Sequence, residues 1–581
     1  MGEAPAPGRG PRKGPRARLA RLGPSTGQGT LRRLPAGASA VAAVIALLAA
    51  LGIGGVLLEP AGAILPIDPT TFDGQDAFVS AVALLALAIG LSRGKKVAWY
   101  IAIAIFSSAL ILQLVVLGHT IAGTLAAICL LSLLANRVRY RAGTQSSLLP
   151  LVGIALGLGA GLVIAEAILV DQVTGQAKAV LDTVTSWLSF TDPTGLAAVG
   201  GSVLIDGLAL AARILLAIAA IALLRAVVGR RSGPVERAHA LELGRLHAAG
   251  ALTPFQFGEG TEPFLGSDGH GLVVYGRAGR TAVVLGDAIG PPRSAEAAFA
   301  EFIERCVQND EVPTVYQASA SSRHILVASG LRPFRVGQEA IIDLETFGLE
   351  GSRRANLRHT VTRAKRGGVV VSWFRDGLPS ADLERFGPGL VALDEAWQAH
   401  AGPKLTFTIG QFALADLASV GVAVAVDPSG EPIAFATFRR TDAAGAWVLD
   451  LIRRAPGSIP GALESCVAEA ALGLRAAGEM TLSLGLAPLA GLDAHSTDAI
   501  ERLLATGARL VRRWYDVEGL AFFKRKFDPR WEPRYGAVQH SWHLPVFALA
   551  LLRLHLAGPG GSLLVAGRAA VAAGFSATLR R

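Results

Sequence analysis

Two textures divide the chain. Between residues 40 and 228 the apolar positions come in runs broken by short polar stretches: Ala40–Leu58, Phe78–Leu91, Val97–Leu117, Ile121–Leu134, Leu148–Val170 and Leu204–Val228. The runs approach the ~20 residues that cross a hydrocarbon core, the second and fourth being shorter, so the pattern predicts a transmembrane bundle of about six helices over residues 39–230. From Val235 to Trp542 the runs shorten and begin to alternate. LVVYGRAGRTAVVLGD (Leu272–Asp287) alternates and turns at Gly276 and Gly279, as a hairpin does. Ala295–Gln308 has helical spacing, and WVLDLIRR, a Pro/Gly loop, ALESCVAEAALGLRAAG and MTLSLGLAP read in order as strand, loop, helix and strand. The expected fold class is a polytopic α-helical membrane bundle followed by an α/β region.

Roughly 310 residues of α/β texture suit two domains of ~150 each. A divide near Trp373–Pro379 gives a first domain over 235–375 and a second over 376–545. Residues 1–38 are basic, rich in Gly, Pro and Arg and poor in large apolar residues, which predicts a disordered tail. The tail over 546–581 is apolar, but Arg553, His555 and Pro559 interrupt it, so an interfacial or docking helix is expected there and not another span. Val180, Leu181, Val184, Trp187 and Leu188 fall at the spacing of a short interfacial helix.

Charge orients the bundle. Arg32 and Arg33 precede the first run; Arg93, Lys95 and Lys96 follow the second, Arg137, Arg139 and Arg141 the fourth, Arg230 and Arg231 the sixth. The positive-inside rule then puts the N-terminus and the α/β region on the cytoplasmic side of a plasma membrane. Scarce Lys beside abundant Arg, Ala and Gly suggests a bacterial chain of high-GC coding. A charged fraction of 17% and a mean hydropathy of +0.45 exclude an ordinary soluble protein. The net charge of +10 favours anionic partners, phospholipid headgroups or RNA. Cys129, Cys306 and Cys466 have neither CxxC nor Cys/His spacing, which argues against a disulfide framework and a zinc site; no metal is expected.

Three stretches could carry chemistry. In GSRRANLRHTVTRAKRGG (Gly351–Gly368), Leu357, Val361 and Ala364 form one buried stripe, and Arg354, Arg358, Arg363, Lys365 and Arg366 cover the rest. This is either a solvated helix face or a surface for phosphates, since unopposed cations on one helix repel one another. In WVLDLIRRAPGSIPGA (Trp447–Ala462) a strand delivers a Gly-bearing loop to a helix N-terminus, and Arg454 with Gly457 partly echoes the acyl-donor loop of GNAT acyltransferases. An ordinary strand-to-helix connection accounts for the loop equally well. Asp450 and Glu464 bracket it: they could hold the ammonium of an amino-acid substrate, or Asp450 could pair with Arg453 while Glu464 complements the helix dipole. In FFKRKFDPRWEPRY (Phe522–Tyr535), Lys524, Arg525, Lys526, Arg530 and Arg534 interleave with Phe523, Phe527, Trp531 and Tyr535, as either a cationic, stacking wall or an edge element with an aromatic core side.

GLAFFKRKFDPRWEPRY, with the blocks Arg335–Gly368, Ala282–Pro292 (AVVLGDAIGPP), Thr314–Ser319 (TVYQAS), Asp450–Gly461 and Leu482–Gly491 (LSLGLAPLAG), resembles the C-terminal synthase region of the phosphatidylglycerol lysyltransferase family. The blocks occur in order over most of Leu241–Val538. The resemblance implies tandem GNAT-like domains that move an amino acid, typically lysine, from aminoacyl-tRNA to the glycerol hydroxyl of phosphatidylglycerol. The product is a cationic lipid that lowers surface charge and protects against cationic peptides. Aminoacyl-tRNA is then the donor substrate, no cofactor is expected, and phosphatidylglycerol and the bilayer are the other partners. Site roles follow on the same basis: Lys524, Lys526, Arg534 and Tyr535 around the reacting ester, Asp450 and Glu464 for the ammonium, Arg354, Arg358 and Arg363 with Arg454 and Gly457 for phosphate. The alternatives are a membrane-tethered GNAT using acyl-CoA and a non-catalytic module that binds anionic lipid.

Overall fold

The computed structural model describes residues 35–41, 74–111, 119–140, 149–174, 234–248, 250–258, 260–401, 410–441, 445–493, 499–511 and 517–557, with isolated positions between them. The expected disordered tail, the interfacial helix within 171–200, the spans Ala40–Leu58 and Leu204–Val228 and the end of the chain beyond residue 557 lie wholly or almost wholly outside these residues. The chain forms two compact units, one within 24–230 together with 305–311, the other within 231–304 and from 312 onward.

In the first unit four helices stand where apolar runs predict them: α1 (Gly74–Ser92), α2 (Lys96–Ile111), α3 (Thr120–Ala135) and α4 (Leu149–Thr174). Leu84 and Leu87 of α1, Ala102 and Phe106 of α2 and Cys129 and Leu133 of α3 share one cluster. The Trp99 indole N–H closes it by donating to the Leu133 carbonyl at 2.9 Å. Among the described residues no helix is long and apolar enough to cross a membrane. α4 has 26 residues, but many of their side chains are outside the described set.

The second unit is built on one mixed sheet. Its strands are β1 (Thr261–Leu265), β2 (Leu272–Ala278), β3 (Thr281–Leu285), β4 (Val312–Ala318), β5 (Arg332–Asp343), β6 (Val370–Phe374), β7 (Gly421–Val426), β8 (Pro432–Arg440), β9 (Ala446–Arg454), β10 (Thr481–Pro488) and β11 (Arg530–Val538). They lie in the order β1-β2-β3-β4-β11-β5-β10-β9-β8-β7-β6. The expected hairpin is β2 and β3, closed at Ala278–Thr281. β6 to β9 form an antiparallel meander, after which a helix crosses to β10, parallel to β9. That order joins both halves of the region in one large mixed sheet. The halves interleave: β11, from the far end of the sequence, fills the gap between β4 and β5.

The longer helices of this unit are α5 (Pro234–His247), α6 (Pro292–Gln308), α7 (Ala355–Arg366), α8 (Ser380–Ala401), α9 (Ala462–Ala476), α10 (Ala499–Val511), α11 (Val517–Arg525) and α12 (Leu544–Ala557). Strand alternation sorts them onto faces. Ala423 and Ala425 of β7 pack with the Ala- and Cys-rich side of α9, while Val422 and Val424 pack with Phe386, Leu390 and Leu393 of α8. α8 and α9 thus cover opposite faces of the second half. In the first half, Tyr275 points to Phe302 of α6, whereas Leu272 and Val274 meet α5 and Ala278 meets α12 on the other side.

The start of α9 is held by a close approach. Gly461 caps the helix in a left-handed conformation (φ +95), and a Cβ there would come within 2.6 Å of the Thr360 carbonyl on α7. A Gly461→Ala substitution therefore combines backbone strain with a clash against a rigid helix, and is expected to cost about 1–3 kcal/mol. Thermal or denaturant unfolding of the full chain checks this; an unchanged midpoint would show that α7 and α9 are not packed this tightly.

Candidate active site

β9 and β10 are parallel, but they pair only over Ala446–Val448 and Thr481–Ser483. Beyond Ser483, β10 shifts register against β5 up to Leu486, with Gly485 in the left-handed region (φ +79). The stretch Leu449–Arg454 of β9 keeps its partner β8 but loses β10. Among the described residues no strand pairs with the β10-facing edge of Leu449–Arg454, so a gap opens there between two parallel strands. Bulges of this kind re-aim side chains beside functional sites.

Charged groups hold the bulge. Lys524, in the last turn of α11, is buried and donates from Nζ to the carbonyls of Gly485 at 3.1 Å and Leu486 at 2.7 Å. Glu339 of β5 is buried too: it accepts from Ser483 Oγ at 2.5 Å and from Arg534 Nε at 2.6 Å. The Gly485 N–H donates to the same Ser483 hydroxyl at 3.0 Å. Burial drives the Lys524 pKa down to about 7, with Glu339 pulling the other way. Close by in sequence, Lys526 Nζ lies 2.7 Å from Glu464 Oε1 in the first turn of α9, where the helix dipole favours an anion.

A second charged cluster occupies the α8 side. Asp450, in the stretch of β9 that has left β10, has a buried side chain, 1% exposed, and accepts from Arg439 Nε at 2.7 Å. Burial raises its carboxyl above the usual range, and Arg439 opposes that shift. Asp450 Oδ1 makes no well-aligned hydrogen bond and lies against the Gly410 backbone, where an added Cβ would overlap it. Arg439 also reaches Asp416 at 3.0 Å. Arg453 donates to Asp394 of α8 at 2.6 Å and stacks over the Trp397 ring at 3.7 Å.

These positions correct several sequence expectations. Asp450 and Glu464 do not converge on one ammonium: they sit on the α8 and α9 sides of the sheet, each paired with its own cation. Asp450 takes Arg439 and not Arg453, because Arg453 is taken by Asp394. Arg354 and Arg358 are not directed outward to phosphate. Arg354 donates to the carbonyls of Thr346 and Gly348 and stacks on Phe347 at 4.9 Å; Arg358 donates to those of Leu349 and Gly351. A loop whose carbonyls have no ladder partner recruits the nearest guanidinium. The cations that α7 does expose are Arg363, Lys365 and Arg366, opposite the buried Leu357 and Ala364. Arg454 and Gly457 (φ +74) are exposed in the β9–α9 loop, but the first turn of α9 beyond them is buried against α7. Tyr535 is half-buried with the Arg323 guanidinium 5.4 Å from its ring centre, and Arg534 is committed to Glu339. Glu339, Ser483, Arg439, Asp394 and Trp397 escaped the sequence reading. The one local signal was an acid inside an apolar strand, Glu339 in QEAIID.

Residues 249–538 match the family described as phosphatidylglycerol lysyltransferase, C-terminal. A phosphatidylglycerol lysyltransferase of Bacillus subtilis is 28% identical over 292 residues, covering 50% of this chain and 34% of that protein. A lysylphosphatidylglycerol biosynthesis bifunctional protein of Mycobacterium avium is 27% identical over 296 residues, covering 48% of this chain and 25% of that protein. The match thus spans about a third or less of these relatives' length. A crystal structure of a C-terminal domain assigned to a lysylphosphatidylglycerol synthetase of Agrobacterium fabrum superposes with a TM-score of 0.50 at 25% identity, over 57% of this chain and 99% of that domain.

Lys524 gives a pH test of the bulge. An unfolded lysine keeps its proton up to about 10.5, whereas the folded chain releases this one near about 7. Between those values the unfolded state binds more protons, so stability rises with pH, by up to ~1.4 kcal/mol per pH unit from this group. Below about 7 the group adds no slope. The unfolding midpoint of the wild type should therefore gain on that of Lys524→Met between pH 7 and 9; parallel profiles would mean that the ammonium is not buried.

Proposed function

Residues 249–538 belong to the phosphatidylglycerol lysyltransferase C-terminal family, and from that membership we propose that the α/β region transfers lysine from aminoacyl-tRNA to phosphatidylglycerol. The glycerol hydroxyl of the lipid attacks the ester carbonyl of the aminoacyl group. A new ester C–O bond forms, the ester bond to the terminal ribose breaks, and the hydroxyl proton ends on the ribose oxygen. One ester replaces another, so the exchange is nearly balanced in bond energy. Rate then comes from orientation and from stabilising the transient oxyanion, with no need for a protein nucleophile.

The observation that carries this reading is the gap between β9 and β10. Its β9 side offers unpaired main-chain groups to the aminoacyl chain, and the buried Asp450 carboxylate lies on that strand. Lys526, held on Glu464, is a fixed cation suited to a developing oxyanion, while Lys524 holds the bulge that opens the gap. The exposed Arg363, Lys365 and Arg366 of α7 suit the phosphates of the tRNA end. The apolar runs before residue 230 anchor the region to a plasma membrane with the site on its cytoplasmic side. Adding lysine turns an anionic headgroup cationic, which lowers the negative surface charge that draws cationic peptides. A parallel-strand gap in a GNAT-like sheet also favours a second reading, transfer from acyl-CoA; indifference of the reaction to ribonuclease would favour it.

The test is expression of the full chain in a bacterium lacking aminoacylated lipids, followed by mass spectrometry of its lipids. A phosphatidylglycerol adduct with the mass of lysine is expected, and no adduct from a folded, membrane-bound chain refutes the reading. Lys526→Ala should lower product by about 10²–10³-fold, the loss typical of one oxyanion donor. The triple variant Arg363→Ala, Lys365→Ala, Arg366→Ala should instead raise KM for aminoacyl-tRNA and flatten its salt dependence.

A further inference from the structure

α12 has two apolar faces, and the sheet uses one of them. Phe547, Ala550 and Leu554 are buried with Val283, Leu285, Phe334 and Val538. The other side carries Val546, Leu549 and Leu552 at 40%, 42% and 48% exposure, preceded by Trp542 at 59%. Single exposed apolar residues are ordinary on a protein surface. This set is different, because its members follow one another at i, i+3 and i+6 along one helix and leave no polar residue between them. A helix that is apolar all round belongs in a core or at a lipid boundary.

The charge around the stripe selects the partner. No Asp or Glu occurs from Pro533 to Arg581. Arg553, on α12 itself, reaches the β2–β3 turn at Gly279, and Arg280 of that turn acts electrostatically on His543, whose pKa burial drives down to about 4. An indole at the start, a leucine-rich stripe and arginines at its rim are what a helix needs to lie in the interfacial zone of an anionic leaflet. Chain connectivity points the same way. In sequence the apolar run Leu204–Val228 ends six positions before Pro234, the first residue of α5, and α5 packs on the same sheet face as α12. α5 does not enlarge the patch, since Glu242 lies between Val235 and Leu246 on its outer side.

We infer that the outer face of α12, with Trp542, inserts into the interfacial zone of an anionic phospholipid bilayer while its inner face holds the sheet. This rests on the membrane reading proposed above and adds a second point of attachment, independent of any span. It keeps the first half of the sheet against the leaflet.

Nitroxide labels at Leu549→Cys and Leu552→Cys, with Glu296→Cys on α6 as a water-facing reference, test this in the full chain reconstituted into vesicles of phosphatidylglycerol and phosphatidylcholine. Cys129, Cys306 and Cys466 are buried, so labelling is selective. Expected is a ratio of oxygen to nickel-chelate accessibility several-fold higher at 549 and 552 than at 296, at a depth of ~5–10 Å. The ratio should fall when the anionic lipid is omitted. Equal ratios at all three positions overturn the inference. So does a label shielded from both reagents, which means protein cover: removal of 558–581 would then identify that segment, and spin dilution a second copy. Lipid product is scored on the same vesicles with the wild type. Deep labels without product refute the transferase reading alone, and product with shallow labels refutes the docking alone.

Discussion

A strand that must leave one neighbour while keeping another sets the terms for this site. β10 is parallel to β9 at its start and antiparallel to β5 along its length, and it gives up the first pairing at Ser483. Gly485 can turn there because it lacks a Cβ, but the turn takes the carbonyls of Gly485 and Leu486 out of the ladder. Main-chain groups left without partners inside a protein are costly, and the Lys524 ammonium answers that cost. The position of α11 follows from Lys524. Phe523 and Phe527, its neighbours in sequence, then pack into the cluster that holds α9, and Lys526 emerges at Glu464. The gap in the sheet and the cations around it are consequences of one bulge.

The same constraint explains why the halves are not separable along the sequence. Glu339 lies on β5, Ser483 on β10 and Arg534 on β11, so the carboxylate ties three neighbouring strands that the chain visits 144 and 195 residues apart. β11 completes the first half only after the second has been traversed. Contacts of such separation form late, because loop closure must precede them. A buried carboxylate with two committed partners also has one low-energy arrangement, which fixes the register of β5 against both neighbours.

Local periodicity explains how much of this was legible beforehand. The stripe of Leu357, Val361 and Ala364 did become the buried side of α7, and the order strand, loop, helix, strand from Trp447 to Pro488 stood as read, because each depends on spacing within one element. Helices over 74–92, 96–111, 120–135 and 149–174 follow four of the apolar runs for the same reason. Partners were not legible. Asp450 and Glu464 are 14 residues apart, yet the crossing from β9 to α9 puts them on opposite faces. Arg354 and Arg358 looked outward on a helical wheel, but the loop before them bends back and takes both guanidinium groups for its carbonyls. A wheel records the direction of a side chain and nothing about which unpaired acceptors the rest of the chain brings to it.

The run Phe522–Tyr535 shows what such commitments mean for chemistry. Its cations look like one positive surface in sequence, but Lys524 serves the bulge, Lys526 serves Glu464 and Arg534 serves Glu339, while Phe527 is fully buried and Trp531 packs on the core. The diffuse field that would attract a polyanion falls to α7, where Arg363, Lys365 and Arg366 are exposed. Attraction and positioning are thereby assigned to different elements. For the proposed ester exchange that division matters. A reaction that makes no stronger bond than it breaks gains little from a reactive side chain and much from dipoles that do not move as charge develops. An ammonium already anchored by a carboxylate, as Lys526 is by Glu464, reorganises less than an exposed lysine would. The salt bridges that lower the apparent positive charge of the site are therefore the feature that suits it to this chemistry.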